Sequence, residues 1–558
     1  MSFKLQVSDR NYTEYSITNT LNEADIPDIN PIENKLFNQD IFNYDESTNS
    51  VTLEHSTTRS MPNIPAVLVL EGNKRFGKHK QKFLYKCIPD DRRLPIFMVP
   101  YAIKIGFNKR LFNKYIVFKF NHWDEKHPRA TIVQVLGEVT DLANFYEYQL
   151  YCKSLYASIQ NFNRKTMRAV KEKSEDEYVE SIYRRYDMED RREWDIISID
   201  PTNSKDFDDA IGLQDISEDV FCLSIYISNV SFWMDALGLW DAFSQRIATI
   251  YLPDGKKPML PTILSDTLCS LQENKIRFAF TLDIVINKKT YEIVESTFKN
   301  TCICVRNNFR YDTEQQSRYP MYEKILHYVR KMNTVNSYID NISNSHDVIA
   351  YLMIVMNYIS AKYLTGQKKG IYRSAKFNTN FVAPKNIPKD AQKFLKMWNS
   401  SGGRYLKYEN IEGHDMLNLD AYVHITSPIR RLVDMLNIMI IQDCLGLMRL
   451  EGPRLEFYNK WITSLDYINQ TMRSIRKVQN DCNLLSVCVN DTELLNQTHT
   501  GFIFDKTKRD DLYQYMVYFP SIKMVNRFTS SHEKENLSEQ LFKLYVFMDE
   551  TQLKQIIR

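Results

Sequence analysis

Apolar and polar positions alternate in short runs through the early part of the chain and again at its end, whereas the middle carries longer apolar stretches. From about residue 61 to 155 the runs AVLVL, KFLYKCI, PIFMVPYAI, KYIVFKF and ATIVQVLGEVT are broken by Asp, Pro and Asn. That spacing predicts short strands closing into a small β-barrel. THTGFIFDK, YQYMVYFPSIKMV and FKLYVFMDE, between about 497 and 558, predict a second small barrel. Residues 1–60 are polar and acidic and read as an N-terminal arm or a reduced small domain. Segment 156–193 pairs opposite charges at i,i+4 spacing, which predicts a helical linker with a solvated face. Residues 194–490 form a large α/β region whose most apolar run, IAYLMIVMNYI at 349–359, is shorter than the roughly 20 residues needed to cross a bilayer. No membrane partner is expected.

Composition narrows the class. A chain of 558 residues with 43% hydrophobic content builds several domains with real cores, which excludes a disordered protein. The nine cysteines are scattered, odd in number and free of any C-x-x-C pair, so they read as reduced thiols of an intracellular protein, neither a disulfide frame nor a zinc site. MSFKLQVSDRNYTEY lacks the basic and apolar regions of a secretory signal. A soluble, cytoplasmic protein is the expectation.

The formal net charge of +3 announces no polyanion partner, but it hides a local excess. Between Lys74 and Lys119 there are thirteen cations, among them Arg92, Arg93, Lys104, Lys109 and Arg110, against only Asp90 and Asp91. Aromatic residues such as Phe76, Phe83 and Tyr101 are interleaved with them. Cations that follow phosphates and rings that stack on bases are the equipment of single-strand binding barrels. For any one ring, core packing is the competing reading.

The densest chemistry is SIDPTNSKDFDDAIGL at 198–213, which places Asp200, Asp206, Asp208 and Asp209 among apolar neighbours. Two carboxylates about 5 Å apart repel by roughly 3 kcal/mol at an effective dielectric near 20, so the group needs a counter-charge. The stretch lacks a calcium-loop pattern and has no adjacent His or Cys for zinc; Mg2+, with Mn2+ as the alternative, suits hard oxygen donors. A solvated acidic turn is the bland alternative.

DPTNSKDFDDAIGL resembles the signature of the RNB family, the ribonuclease II and ribonuclease R group of 3′-to-5′ exoribonucleases. Further stretches resemble the family's motifs in the family's order: SIYISNVSFWM at 224–234, RIATIYLPDGKKPMLPTILSDTLCSL at 246–271 and AYVHITSPIRRLVDML at 421–436. KFLYKCIPDDRRLPIFMVPY and VQVLG resemble the second cold-shock-like barrel of the eukaryotic, exosome-type members, and the tail resembles their S1 barrel. The resemblance implies an α+β multidomain fold: a central RNB α/β catalytic domain at 194–490, flanked by OB-fold barrels, cold-shock-like at 61–155 and S1-like at 497–558. Residues 1–60 then hold an arm or a reduced first cold-shock-like domain.

The resemblance also implies roles. Asp200, Asp206, Asp208 and Asp209 occupy metal-binding positions, with Asp208 and Asp209 catalytic; Arg430 matches the catalytic arginine, a structural ion pair being its alternative. Tyr251 and Tyr311 match RNA-contacting tyrosines, and Arg431, Arg92 and Arg93 are further candidates for RNA contact. The implied partner is single-stranded RNA with a free 3′ end, bound by a monomer or within a larger complex. The implied reaction is Mg2+-dependent hydrolysis to nucleoside 5′-monophosphates.

This chain departs from the family pattern at Tyr226 and Asn229, where His and Asp are usual, at Ala350 and Tyr351 where acids are common, at Leu432, and at Gln479. Those departures keep a catalytically impaired RNA-binding protein as the alternative, with a DNA-directed metallophosphodiesterase as a third reading.

Overall fold

The computed structural model describes residues 2–19, 28–103, 111–377, 387–398, 403–509, 511–548 and 553–557. Lys104, Lys109 and Arg110 lie outside the described residues. The chain divides into two compact units, one made of 1–156, 252–254 and 476–558, the other of 157–251 and 255–475.

The first unit opens with a four-stranded sheet in the order Tyr15–Asn19, Ser2–Val7, Ile41–Asp45, Ser50–His55. Phe3, Leu5, Val7, Ile17, Leu36 and Phe42 form its core. The arm reading of residues 1–60 is therefore corrected to a small β-domain; its strands are short and mostly polar, and Leu5 and Phe42 carry the packing. Ile64–Leu68, Lys114–His122, Arg129–Glu138, Phe97–Tyr101 and Lys82–Pro89 form a closed barrel, because Ile64–Leu68 pairs with both Lys114–His122 and Lys82–Pro89. The two-residue strand Lys78–His79 extends it as a hairpin with Lys82–Pro89. Near the C-terminus a five-stranded sheet surrounds Ile503, Val517, Phe519, Phe542 and Leu544.

The second unit is built on a seven-stranded sheet. In chain order its strands are β1 (Glu189–Arg191), β2 (Ile196–Asp200), β3 (Asp209–Asp215), β4 (Val220–Ser228), β5 (Ile276–Asn287), β6 (Ile293–Cys304) and β7 (Asn307–Arg310). Their spatial order is β1-β6-β5-β4-β3-β2-β7. Ile-rich β2 and β4 are buried throughout or nearly so, as expected of strands covered on both faces.

Segment 156–193, read as a solvated linker, is corrected: from residue 157 on it is part of this unit. Its helices α1 (Gln160–Ala169) and α2 (Glu175–Arg185) bury Phe162, Ala169, Tyr178 and Ile182 in the main core. Four apolar side chains spaced along two charged helices suffice to dock them, and abundant surface charge masked that stripe.

The apolar run at 349–359 lies inside a longer helix, α3 (Ser345–Gly366). Asn344 and Asp347 exchange side-chain and backbone hydrogen bonds in a capping box that starts α3 earlier than the run suggests. With 22 residues and an 18-residue window of mean hydropathy 1.3, α3 is long and apolar enough to cross a membrane by length and composition. Here Val348, Leu352, Val355, Met356 and Leu364 instead pack into the core beside helix α4 (Leu432–Cys444). All nine cysteines are free.

Candidate active site

Three local features bring the acidic residues together. Asp200 ends β2, and its strand neighbour β7 runs parallel with Arg310 opposite it. Asp209 begins β3, so the loop 201–208 must turn the chain between adjacent strands. Phe207, buried, anchors that loop. Its N–H donates to Ser270 Oγ at 3.1 Å, its carbonyl accepts from Leu271 N at 3.0 Å, and the Ser270 hydroxyl donates to the Lys205 carbonyl at 2.8 Å. The L-C-S-L stretch thus acts at a distance in sequence, holding the loop that carries the acids.

Asp208 is 3% exposed and receives two hydrogen bonds from the SPIR turn, Ile429 N–H at 2.9 Å and Arg430 Nε at 3.0 Å. Arg430 also donates from Nη2 to Ser427 Oγ at 2.9 Å, while its side chain stays 44% exposed. The guanidinium is therefore held on one edge and presented on the other. Burial opposes its charge, but Asp208 outweighs this and moves its pKa above the ordinary arginine value.

Tyr251 is brought alongside by backbone pairing. Thr249 N–H donates to the Arg430 carbonyl at 3.0 Å, and the following Ile250–Leu252 strand carries Tyr251 outward, 40% exposed. Its hydroxyl feels burial first, then Arg430, Asp206 and Asp208, with a net rise in pKa. Tyr311 donates its backbone N–H to the Asp200 carbonyl at 3.1 Å and packs edge-on to His346. Burial, then the charges of Asp209 and Asp200, raise the pKa of its hydroxyl.

The carboxylates divide into two classes. Asp208 is spoken for by Arg430, and Asp206 by Lys256 Nζ at 2.9 Å. Among the described residues neither Asp200 nor Asp209 joins an ion pair, and Asp200 Oδ2 is buried without a hydrogen-bond partner. Burial pushes Asp200 up to about 7 despite a Ser198 hydrogen bond, and Asp208 raises it further. Burial likewise pushes Asp208 up to about 7, against the pull of Arg430. Asp209 rises to about 8 through burial and the neighbouring Asp200.

No group of three or more His, Cys, Asp or Glu donors converges in metal-holding geometry among the described residues. The four aspartates read as metal-binding divide in this structure: Asp206 is turned toward Lys256 and Asp208 toward Arg430. Asp200 and Asp209 remain, two sheltered hard-oxygen donors without an ion-pair contact among the described residues, one with an unpartnered oxygen. Mg2+ is commonly held by one or two carboxylates plus waters and phosphate, so this pair fits a divalent ion.

Two other candidate contacts, Arg431 and Arg93, are engaged by neighbouring acids. Arg431 turns inward, Nη2 donating to Asp434 Oδ1 at 2.8 Å, and Asp434 also accepts Ser427 N–H at 2.8 Å; Arg431 thus braces the turn that aims Arg430. Arg93 grips Asp91 through Nε and Nη2, both at 2.9 Å, which engages its fork, whereas Arg92 is exposed. Among the departures, Tyr226 is buried with its hydroxyl accepting from Arg191 Nη1 at 3.3 Å, and Asn229 donates from Nδ2 to Asn300 Oδ1 at 3.5 Å. Tyr351 and Leu432 are core residues.

Lys256, Asp266, Arg310 and Ser427 were missed in the sequence. Lys256 is only five positions after Tyr251 on the paired strand Gly255–Lys257, and that hairpin spacing was the available signal.

The model of the RNB domain matches residues 188–318 and 321–446, and that of the Dis3-like cold-shock domain 2 matches 84–147. The chain carries an RNB domain. Among curated RNB relatives, Ribonuclease R of Aquifex aeolicus is 30% identical over 192 residues, covering 33% of this chain. The chain spans only 26% of that protein's length. Mycoplasma genitalium RNase R in complex with ribose methylated single-stranded RNA superimposes with a TM-score of 0.69 at 16% identity, covering 99% of this chain and all of that one. Yeast Ssd1, described as a pseudonuclease, gives a TM-score of 0.60 at 14% identity, over 94% of this chain and 78% of that one. At those identities the two structures show a shared RNB-type multidomain fold, with its barrels and mixed α/β unit.

Proposed function

We propose that this protein is a 3′-to-5′ exoribonuclease that hydrolyses single-stranded RNA to nucleoside 5′-monophosphates with Mg2+, Mn2+ serving as the alternative ion. The observation that carries this reading is the meeting of Asp200, Asp208 and Asp209 with an exposed Arg430 edge and an exposed Tyr251 ring. Asp200 and Asp209 would hold the ion, which when bound would activate water and neutralise charge on the scissile phosphate. Arg430 offers a permanently charged planar fork to phosphate oxygens as negative charge builds. Asp208 and Ser427 fix the other edge of that fork, so little reorientation is needed when the phosphate arrives. Tyr251 supplies a ring on which a terminal base stacks without its sequence being read. Tyr311, beside Asp200, lines the ion side of the site. Arg92 and the basic barrel would supply phosphate contacts along the incoming strand.

A 5′-labelled RNA with a single-stranded 3′ tail, incubated with Mg2+, tests this. Progressive shortening of the labelled strand with release of mononucleotides is expected; intact RNA under both Mg2+ and Mn2+ overturns it.

A second reading, a catalytically impaired RNA-binding protein, is favoured by two observations. Arg430 and Lys256 already occupy Asp208 and Asp206, and the acids usual near α3 are replaced by Ala350 and Tyr351. RNA binding with no decay under the same assay is the result that selects it.

A further inference from the structure

Lys256 lies on the short strand Gly255–Lys257, its side chain 25% exposed, and its ammonium donates to two carboxylates at once: Asp206 Oδ1 at 2.9 Å and Asp266 Oδ1 at 3.0 Å. Both acids are fixed from behind. Ser265 Oγ donates to Asp266 Oδ1 at 2.6 Å, and Gln272 Nε2 holds the Asp266 carbonyl at 2.8 Å. Asp206 precedes the buried anchor Phe207. Burial opposes the lysine's charge, yet the two acids outweigh it and keep it protonated.

We propose that Lys256 is the acidic site's resident second cation, bridging Asp206 and Asp266 and thereby limiting the site to a single divalent ion at Asp200 and Asp209. The inference rests on the divalent-ion chemistry proposed above and deepens it. Two geometric facts carry it. Asp206, one of the four aspartates in the acidic motif, has its oxygen occupied by an ammonium, whereas Asp200 keeps a buried oxygen with no partner. The local charges then balance. Five carboxylates, Asp200, Asp206, Asp208, Asp209 and Asp266, face Lys256, Arg430 and Arg310, which leaves two formal negative charges for one divalent ion to cancel. A second divalent ion on Asp206 would have to displace the lysine or sit against its positive charge. Lys256 is a positioning residue: it holds Asp206 and sets how many ions the site takes, without itself touching the reacting atoms.

Counting bound Mn2+ on the full chain without RNA tests this, free Mn2+ being read by electron paramagnetic resonance and the count at this site taken as the ions lost when Asp200→Asn, Asp206→Asn and Asp209→Asn are combined in the same background. One ion is expected for the wild type and for Lys256→Arg. Two are expected for Lys256→Ala, which releases Asp206 and Asp266, and for Lys256→Met, which keeps the apolar stem should the alanine variant fold poorly. Two ions in the wild type, or one in folded Lys256→Ala and Lys256→Met, overturn the role of Lys256 and leave the exoribonuclease reading standing. No ion in the wild type overturns the divalent-ion chemistry itself, and this inference with it.

Discussion

At the scale of single residues, the account turns on how charge is distributed. Asp208 and Arg430 form a sheltered pair whose outer edge stays open, and a lysine in place of that arginine keeps the charge but loses the planar fork. Arg430→Lys is therefore expected to lower the rate constant for RNA decay by about 10²-fold, the order seen when one preorganised charge-stabilising donor is removed, with the melting temperature little changed. Single-turnover decay measured beside a thermal melt checks both halves. Much of this constellation was legible beforehand. Four aspartates within ten positions need a cation whatever the fold, and a double arginine after Ser-Pro stood out against an apolar helix. The partners were not legible. Asp206 meets Lys256 from 50 positions away, and Asp208 meets Arg430 from 222 positions away. Spacing along the chain carries no information about such pairings.

At the scale of elements, the hairpin from Lys74 to Lys86 concentrates exposed cations with no carboxylate inside it. Arg75 lies 4.1 Å and Lys78 5.0 Å from the Phe83 ring centroid, so the cations cluster around an aromatic instead of dispersing. Replacing Lys74, Lys78, Lys80 and Lys82 together by Ala should weaken single-stranded RNA binding and flatten the dependence of log affinity on log salt by about 3, since each phosphate contact contributes roughly 0.7. Fluorescence anisotropy at several salt concentrations measures that slope; an unchanged slope removes the hairpin from the RNA path. Strand-rich runs such as KYIVFKF were readable because alternation and β-branching speak directly to a strand. Helices α1 and α2 were misread in position because their buried residues, Phe162, Tyr178 and Ile182, are sparse among charges. The start of α3 is set by a polar capping box, which hydropathy alone does not register.

At the scale of the whole molecule, partly buried histidines tie stability to pH. Burial, then Arg373, pushes His414 down to about 4, with Asp415 partly opposing. Burial, then Arg431, pushes His424 well below the usual value. The folded protein thus resists protons that the unfolded chain accepts near pH 6.5, so the stability these groups contribute is full above that value and is lost as pH falls toward 4. The melting-temperature gap between wild type and His414→Asn should therefore narrow from pH 7.5 to pH 5; a gap that widens on acidification contradicts this. The same thermodynamic logic makes the acidic site costly when empty, and that cost is what an ion would relieve. The central claim is that Asp200 and Asp209 serve hydrolysis while RNA capture lies elsewhere. The most direct test is a paired measurement on wild type and Asp209→Asn, following decay of a 3′-tailed RNA in Mg2+ and its equilibrium binding in EDTA. The account predicts decay in the wild type only, with dissociation constants agreeing within about threefold; equal decay by both proteins, or by neither, would contradict it.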